Sequence, residues 1–257
     1  MNNSRSFRPL KGLLVSLLLS LSPIIPVQAQ DSQFISGIDP PESILFVGNS
    51  FTFYNNSVYT HLRKLLVADD PSSRGKIFLK SMTISGALLS DHRDGLMQVL
   101  SSRDWDVVVL QGQSRELLDE KTAPGFKSTV RTYSEAIRSR GAEPVLFMTW
   151  AYADKPEMSV QLANEFSRLG KKMDIPVIPV GLAFKRALEE LPGVVLHAPD
   201  QKHPSLEGTY LAAAVFYSTL YGKSPVALNY SAGLDDNIAR QLRQTAWQTV
   251  IEYFPAR

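Results

Sequence analysis

The sequence predicts an α/β protein: a mostly parallel five-stranded sheet with helices on both faces. Three observations carry this. Short unbroken apolar runs, suited to strands buried on both faces, recur along the chain. Stretches with apolar residues at helical spacing separate them, which is the βα alternation of a parallel sheet. No internal repeat and no long linker interrupts the pattern.

Residues 43–48 (SILFVG) form the first expected strand, stopped by Gly48. A helix over 58–68 follows, with Val58, Leu62, Leu65 and Leu66 inward and His61 expected at the surface. The second strand is 76–82. A helix over 91–101 then buries Leu96, Val99 and Leu100, and His92 is expected in a solvated charged turn. The β-branched run at 106–111 (DVVVLQ) is the strongest strand, closed by Gly112. Helix 129–139, strand 144–150 (PVLFMTW) and helix 160–171 continue the alternation. Strand 176–181 contains Pro179, which confines it to an edge or a strand end. Two helices close the chain. Ser205 suits the N-cap of 206–220, and 235–253 carries a stripe of Ile238, Leu242, Ala246 and Val250 expected to pack on the sheet.

The chain has 257 residues, 27 Lys and Arg against 25 Asp and Glu, and no cysteine. The missing thiol excludes disulfides, thiolate metal sites, iron–sulfur clusters and a cysteine nucleophile. The positive balance sits at the start. Residues 1–29 hold Arg5, Arg8 and Lys11 and no acid, then an apolar run over 13–21, then Val27-Gln28-Ala29. That order reads as a secretory signal peptide cut after Ala29; the run is shorter than the roughly 20 residues of a membrane span. Residues 30–257 then form a single domain with a balance close to neutral. The charge argument for a nucleic-acid partner falls with the leader, and no stable membrane insertion is expected after cleavage. A secreted or periplasmic location follows from the same reading.

In open parallel sheets, ligands bind beyond the carboxyl ends of the strands. After the first strand comes Gly48-Asn49-Ser50-Phe51-Thr52. A phosphate-binding loop would need a second Gly followed by Lys, which is missing. Ser50 has two readings, a helix cap and a nucleophile placed where backbone N–H groups stabilise an oxyanion. A nucleophile needs a base, and there are 4 histidines. His197 and His203 lie in His197-Ala-Pro-Asp200-Gln-Lys-His203-Pro, where Asp200 is spaced to hold the His203 imidazole. A metal site of His197, Asp200 and His203 would need the loop to wrap tightly, against Pro199 and Pro204. Trp150 ends the fourth strand, either in the crevice as a substrate-binding face or in the core.

Gly48-Asn49-Ser50-Phe51 near the start and Asp200-x-x-His203 near the end, in that order on an alternating α/β pattern, resemble the SGNH (GDSL-type) hydrolase superfamily. The resemblance implies a three-layer, flavodoxin-like α/β/α sandwich and an esterase needing no cofactor and no metal. Residue by residue, it implies Ser50 as nucleophile, with Asp200 and His203 completing a triad. Gly86 would be the oxyanion glycine. Gln113 stands where the family usually has an oxyanion Asn, with Gln111 as rival donor or substrate contact. Asn49 replaces the usual Asp. Short acyl or acetyl esters on glycans or small molecules are the implied substrates. An acyltransferase on extracytoplasmic glycans would use the same triad, and a carbohydrate-binding module would keep the fold without needing all three residues.

Overall fold

The computed structural model describes Met1 and residues 39–254. The expected leader, apart from Met1, and its cut after Ala29 lie outside the described residues. Residues 39–254 fall within one compact unit.

Five strands form the sheet: β1 (Ser43–Gly48), β2 (Phe78–Thr83), β3 (Val107–Leu110), β4 (Glu143–Phe147) and β5 (Val177–Ile178). Their order is β2-β1-β3-β4-β5, and every pairing is parallel. β1 and β3 are buried along their whole length, so both faces of the sheet are covered, as their unbroken apolar runs demand. The chain runs from β1 outward to β2, then recrosses to β3 on the far side of β1. This reversal opens a crevice at the carboxyl ends of β1 and β3.

Among the described residues, eight helices connect and flank the strands: α1 (Ser50–Phe53), α2 (Val58–Asp69), α3 (Arg93–Ser101), α4 (Ala123–Arg138), α5 (Met158–Met173), α6 (Val180–Glu190), α7 (Leu206–Tyr221) and α8 (Asp236–Tyr253). Short 3-10 turns lie at Pro71–Ser73 and Leu89–His92.

Several departures from the sequence reading have clear causes. α4 begins six residues before the expected start, with Pro124 in its first turn, where the missing N–H costs nothing. β4 stops at Phe147, and β5 is only two residues because Pro179 ends it and precedes α6, a helix the sequence reading lacks. α8 packs on α7 and α6 rather than on the sheet. That follows from α7, which is buried continuously from Gly208 to Leu220. A helix apolar all round needs cover on every side, and α2, α6, α8 and β5 supply it. Ser205 caps α7 as expected, its Oγ accepting from Gly208 N at 3.0 Å.

Candidate active site

β1 ends at Gly48, and the chain turns at once into α1. Asn49 is the N-cap, its Oδ1 accepting from Phe51 N at 3.2 Å. Ser50 is the first helical residue, so its N–H has no partner within α1. Its side chain meets His203: Oγ lies 2.8 Å from Nε2.

Gln111, at the end of β3, clamps this turn. Its Oε1 accepts from Asn49 N at 2.8 Å and from Thr52 Oγ1 at 2.9 Å. Its Nε2 donates to Asn49 Oδ1 at 2.9 Å and to Gly112 O. Both N–H groups of the amide are thereby used, and the residue is only 1% exposed. Gln111 is therefore neither a free oxyanion donor nor a substrate contact, correcting that expectation. The same clamp explains Gly48, because any Cβ there would collide with Gln111 Oε1 and lie 2.8 Å from Thr52 Oγ1.

Asn49 reaches further. Its Nδ2 donates to Ala87 O at 3.1 Å and to Gly112 O at 3.2 Å, tying the Ser50 turn to the loops after β2 and β3. Glu116 ties those two loops to each other. Its buried carboxylate accepts from Gln113 N at 2.8 Å and from Leu89 N at 3.1 Å. Burial pushes the Glu116 carboxyl up, against the two backbone N–H bonds that favour its charge. Gly86 sits exposed on the first of these loops with φ +71°, a left-handed conformation that glycine adopts without penalty. Gln113 sits half-buried on the second. Its Oε1 accepts from Arg115 N at 2.8 Å, which leaves its N–H groups as donors.

His203 arrives from the loop before α7. Asp200 Oδ1 accepts from Lys202 N and His203 N, both at 3.0 Å, and its Oδ2 is bonded to His203 Nδ1. Desolvation pushes Asp200 upward, but the hydrogen bonds from His203 and the two backbone N–H groups together hold it at about 2. With Nδ1–H donating to a carboxylate, Nε2 is the acceptor that faces Ser50. Tyr54 stacks flat on the imidazole, centroids 4.2 Å apart and planes 4° from parallel.

Trp150 belongs to the core: it is fully buried and stacks on Phe184 at 4.2 Å and Phe51 at 4.7 Å. Its substrate-binding role is thus corrected to support. Its Nε1 donates to Lys202 O at 3.0 Å, which props the loop bearing His203. The other three histidines are also structural. His92 is buried rather than solvated, with Nε2 donating to Gly48 O at 2.8 Å. His61 is buried rather than exposed, between Asn55 O and Tyr230 Oη, each at 2.7 Å. His197 donates from Nε2 to Ala151 O at 2.9 Å. Among the described residues, no group of three or more His, Asp or Glu is arranged around a metal position.

The sequence reading missed Glu116 and Asn55. Glu116 stands three residues after Gln113, the spacing at which a carboxylate reaches back to a backbone N–H. Asn55 opens the polar Asn55-Asn56-Ser57 run directly after α1.

The architecture has counterparts among solved structures. A candidate SGNH hydrolase from Slackia heliotrinireducens is 27% identical, with 69% of this chain and 97% of that one covered at a TM-score of 0.57. This is the SGNH hydrolase fold. A DUF4886 family protein from Bacteroides uniformis shares it at 18% identity, over 83% of this chain and 96% of that one, with a TM-score of 0.63. An acetylxylan esterase from Geobacillus stearothermophilus does so at 18% identity, over 74% and 96%, with a TM-score of 0.56. At 18% identity the last two are likenesses of fold. No family model and no curated relative matches the sequence. The loops beyond β1, β2 and β3 carry Ser50, Gly86 and Gln113, and the loop before α7 carries Asp200 and His203.

Proposed function

We propose that this chain is a serine esterase working through an acyl-enzyme. The observation that carries the reading is the continuous line from Ser50 Oγ to His203 Nε2 and from Nδ1 to Asp200. His203 Nε2 takes the Ser50 proton as Oγ attacks the ester carbonyl, and Asp200 stabilises the imidazolium that forms. Ser50 N–H, Gly86 N–H and Gln113 Nε2 hold the tetrahedral oxyanion. His203 then protonates the leaving alcohol. Water, deprotonated by the same nitrogen, releases the acid.

Short acyl groups, acetyl above all, on glycans or small molecules are the proposed substrates. The structural likeness to acetylxylan esterases supports this. Export follows from the 1–29 leader. Among the described residues no helix is long and apolar enough to cross a membrane.

A panel of p-nitrophenyl esters of increasing chain length, with acetylated xylo-oligosaccharides, tests the activity, using Ser50→Ala as the blank. Hydrolysis that depends on Ser50 and falls with chain length is expected. Equal turnover by Ser50→Ala, or none by the wild type, would sink the proposal. N-terminal sequencing of the exported protein tests the cut, which should leave Gln30 first.

A further inference from the structure

Directly after α1, three successive residues that are not glycine take left-handed backbone conformations: Asn55 (φ +50°), Asn56 (φ +67°) and Ser57 (φ +71°). Such a run is unfavourable for L-residues and persists only where its surroundings over-determine it. Here it is held from two sides. The Asn55 carbonyl accepts from His61 Nε2 at 2.7 Å, and His61 Nδ1 in turn accepts from the Tyr230 hydroxyl at 2.7 Å. Burial pushes His61 down, against the opposing pull of its bond to Asn55, and keeps it in the neutral form this relay needs. The Asn55 side chain points the other way. Its Nδ2, with two N–H groups, is shared among three acceptors: Pro204 O at 2.9 Å, Ser205 O at 2.8 Å and Thr209 Oγ1 at 2.9 Å.

Those acceptors are the backbone immediately after His203 and the first turn of α7. The single turn of α1 links Ser50 to the strained run, with Tyr54 N bonded to Ser50 O at 3.1 Å. The loop bearing the base is otherwise fixed from the β4 side, by Ala153 N on Gln201 O and by Trp150 on Lys202 O. Asn55 is the side chain from the nucleophile's own turn that bonds the backbone beside the base.

We propose that Asn55 is a positioning residue that sets the Ser50–His203 distance. It bolts the nucleophile turn to the base loop, and the left-handed run is the bent arm that carries the bolt. The inference rests on the reading of Ser50 and His203 as nucleophile and base, but one arm of its test does not.

Two variants separate positioning from folding. Asn55→Gly accepts φ +50° readily and deletes the three bonds. Asn55→Asp keeps the shape but turns acceptors toward acceptors. Both should lower kcat by about 100-fold with KM little changed, the cost of a misplacement on the order of 1 Å. Asn56→Gly, at an exposed position in the same run, should keep wild-type kcat. In a crystal structure of Asn55→Gly, Ser50 Oγ should stand farther than 2.8 Å from His203 Nε2. A wild-type kcat in both Asn55 variants, a change in KM alone, or an unchanged Ser50–His203 distance would overturn the proposal. If Asn55→Asp does not fold, Asn55→Gly decides alone. If the wild type hydrolyses no ester, the functional reading falls, and the crystallographic distance still judges the positioning role.

Discussion

Replacing Asn49 by Asp restores the residue usual in GDSL-type strings and should nevertheless damage this protein. The side chain keeps its shape and its Oδ1 bonds from Phe51 N and Gln111 Nε2. What it loses is Nδ2, which donates to Ala87 O and Gly112 O in a site only 2% exposed. Gly112 O retains the Gln111 amide, while Ala87 O is left facing a second acceptor. Two lost bonds, one of which leaves a buried carbonyl unsatisfied, and a desolvated carboxylate, less the gain of a charged Oδ1, sum to about 3 kcal/mol at neutral pH. For a domain of this size that corresponds to a melting temperature lower by about 10 °C. The new carboxyl has a raised folded-state pKa, so the deficit is smallest below about pH 4 and grows as pH rises toward that folded value. Differential scanning fluorimetry of both proteins at pH 4 and pH 7 measures it. Melting within about 2 °C of wild type at both pH values would refute the account of Asn49 as the tie between three loops.

Gln113→Ala should lower kcat by about 100-fold with an unchanged melting temperature, whereas Gln111→Ala should lower both. An activity loss confined to Gln111→Ala without loss of stability would reverse the two roles. His203→Ala should abolish ester hydrolysis and leave folding intact, while His197→Ala, which loses the buried bond to Ala151 O, should chiefly destabilise; equal losses of activity at equal stability would contradict this. Asp200 is held at about 2 in the folded state, so its contribution is present above its ordinary pKa near 4 and is lost as pH falls through about 2. Acid unfolding followed by circular dichroism should show wild type losing its advantage over Asp200→Asn across that window. A gap that does not change with pH would count against the pairing with His203.

The sheet was legible because its central strands are buried on both faces, and unbroken runs such as Val107–Leu110 have no other use. That Ser50, Asp200 and His203 would meet was legible because chemistry restricts which residue types can stand together. Less legible was everything that depends on where a side chain points. Gln111 and Gln113 look alike in sequence, but one turns back onto Asn49 while the other caps Arg115 N. His61 was read as a surface residue although it shares the buried stripe of Val58, Leu62 and Leu65, a signal that helical spacing already contained. α6 was hidden by Pro179, read as the inside of a strand when it marks the end of one and the start of a helix.

Ser50 and His203 are separated by 153 positions in the chain, and the loop bearing His203 runs directly into α7, buried from Gly208 to Leu220. A partly synthesised or partly folded chain therefore carries Ser50 without His203 beside it. Long-range closure of this kind is among the slower events in folding, so recovery of activity after denaturation should lag behind recovery of helical signal. On the roles proposed for Ser50 and His203, the protein is its own timer: hydrolysis begins only when the loop bearing His203 has docked.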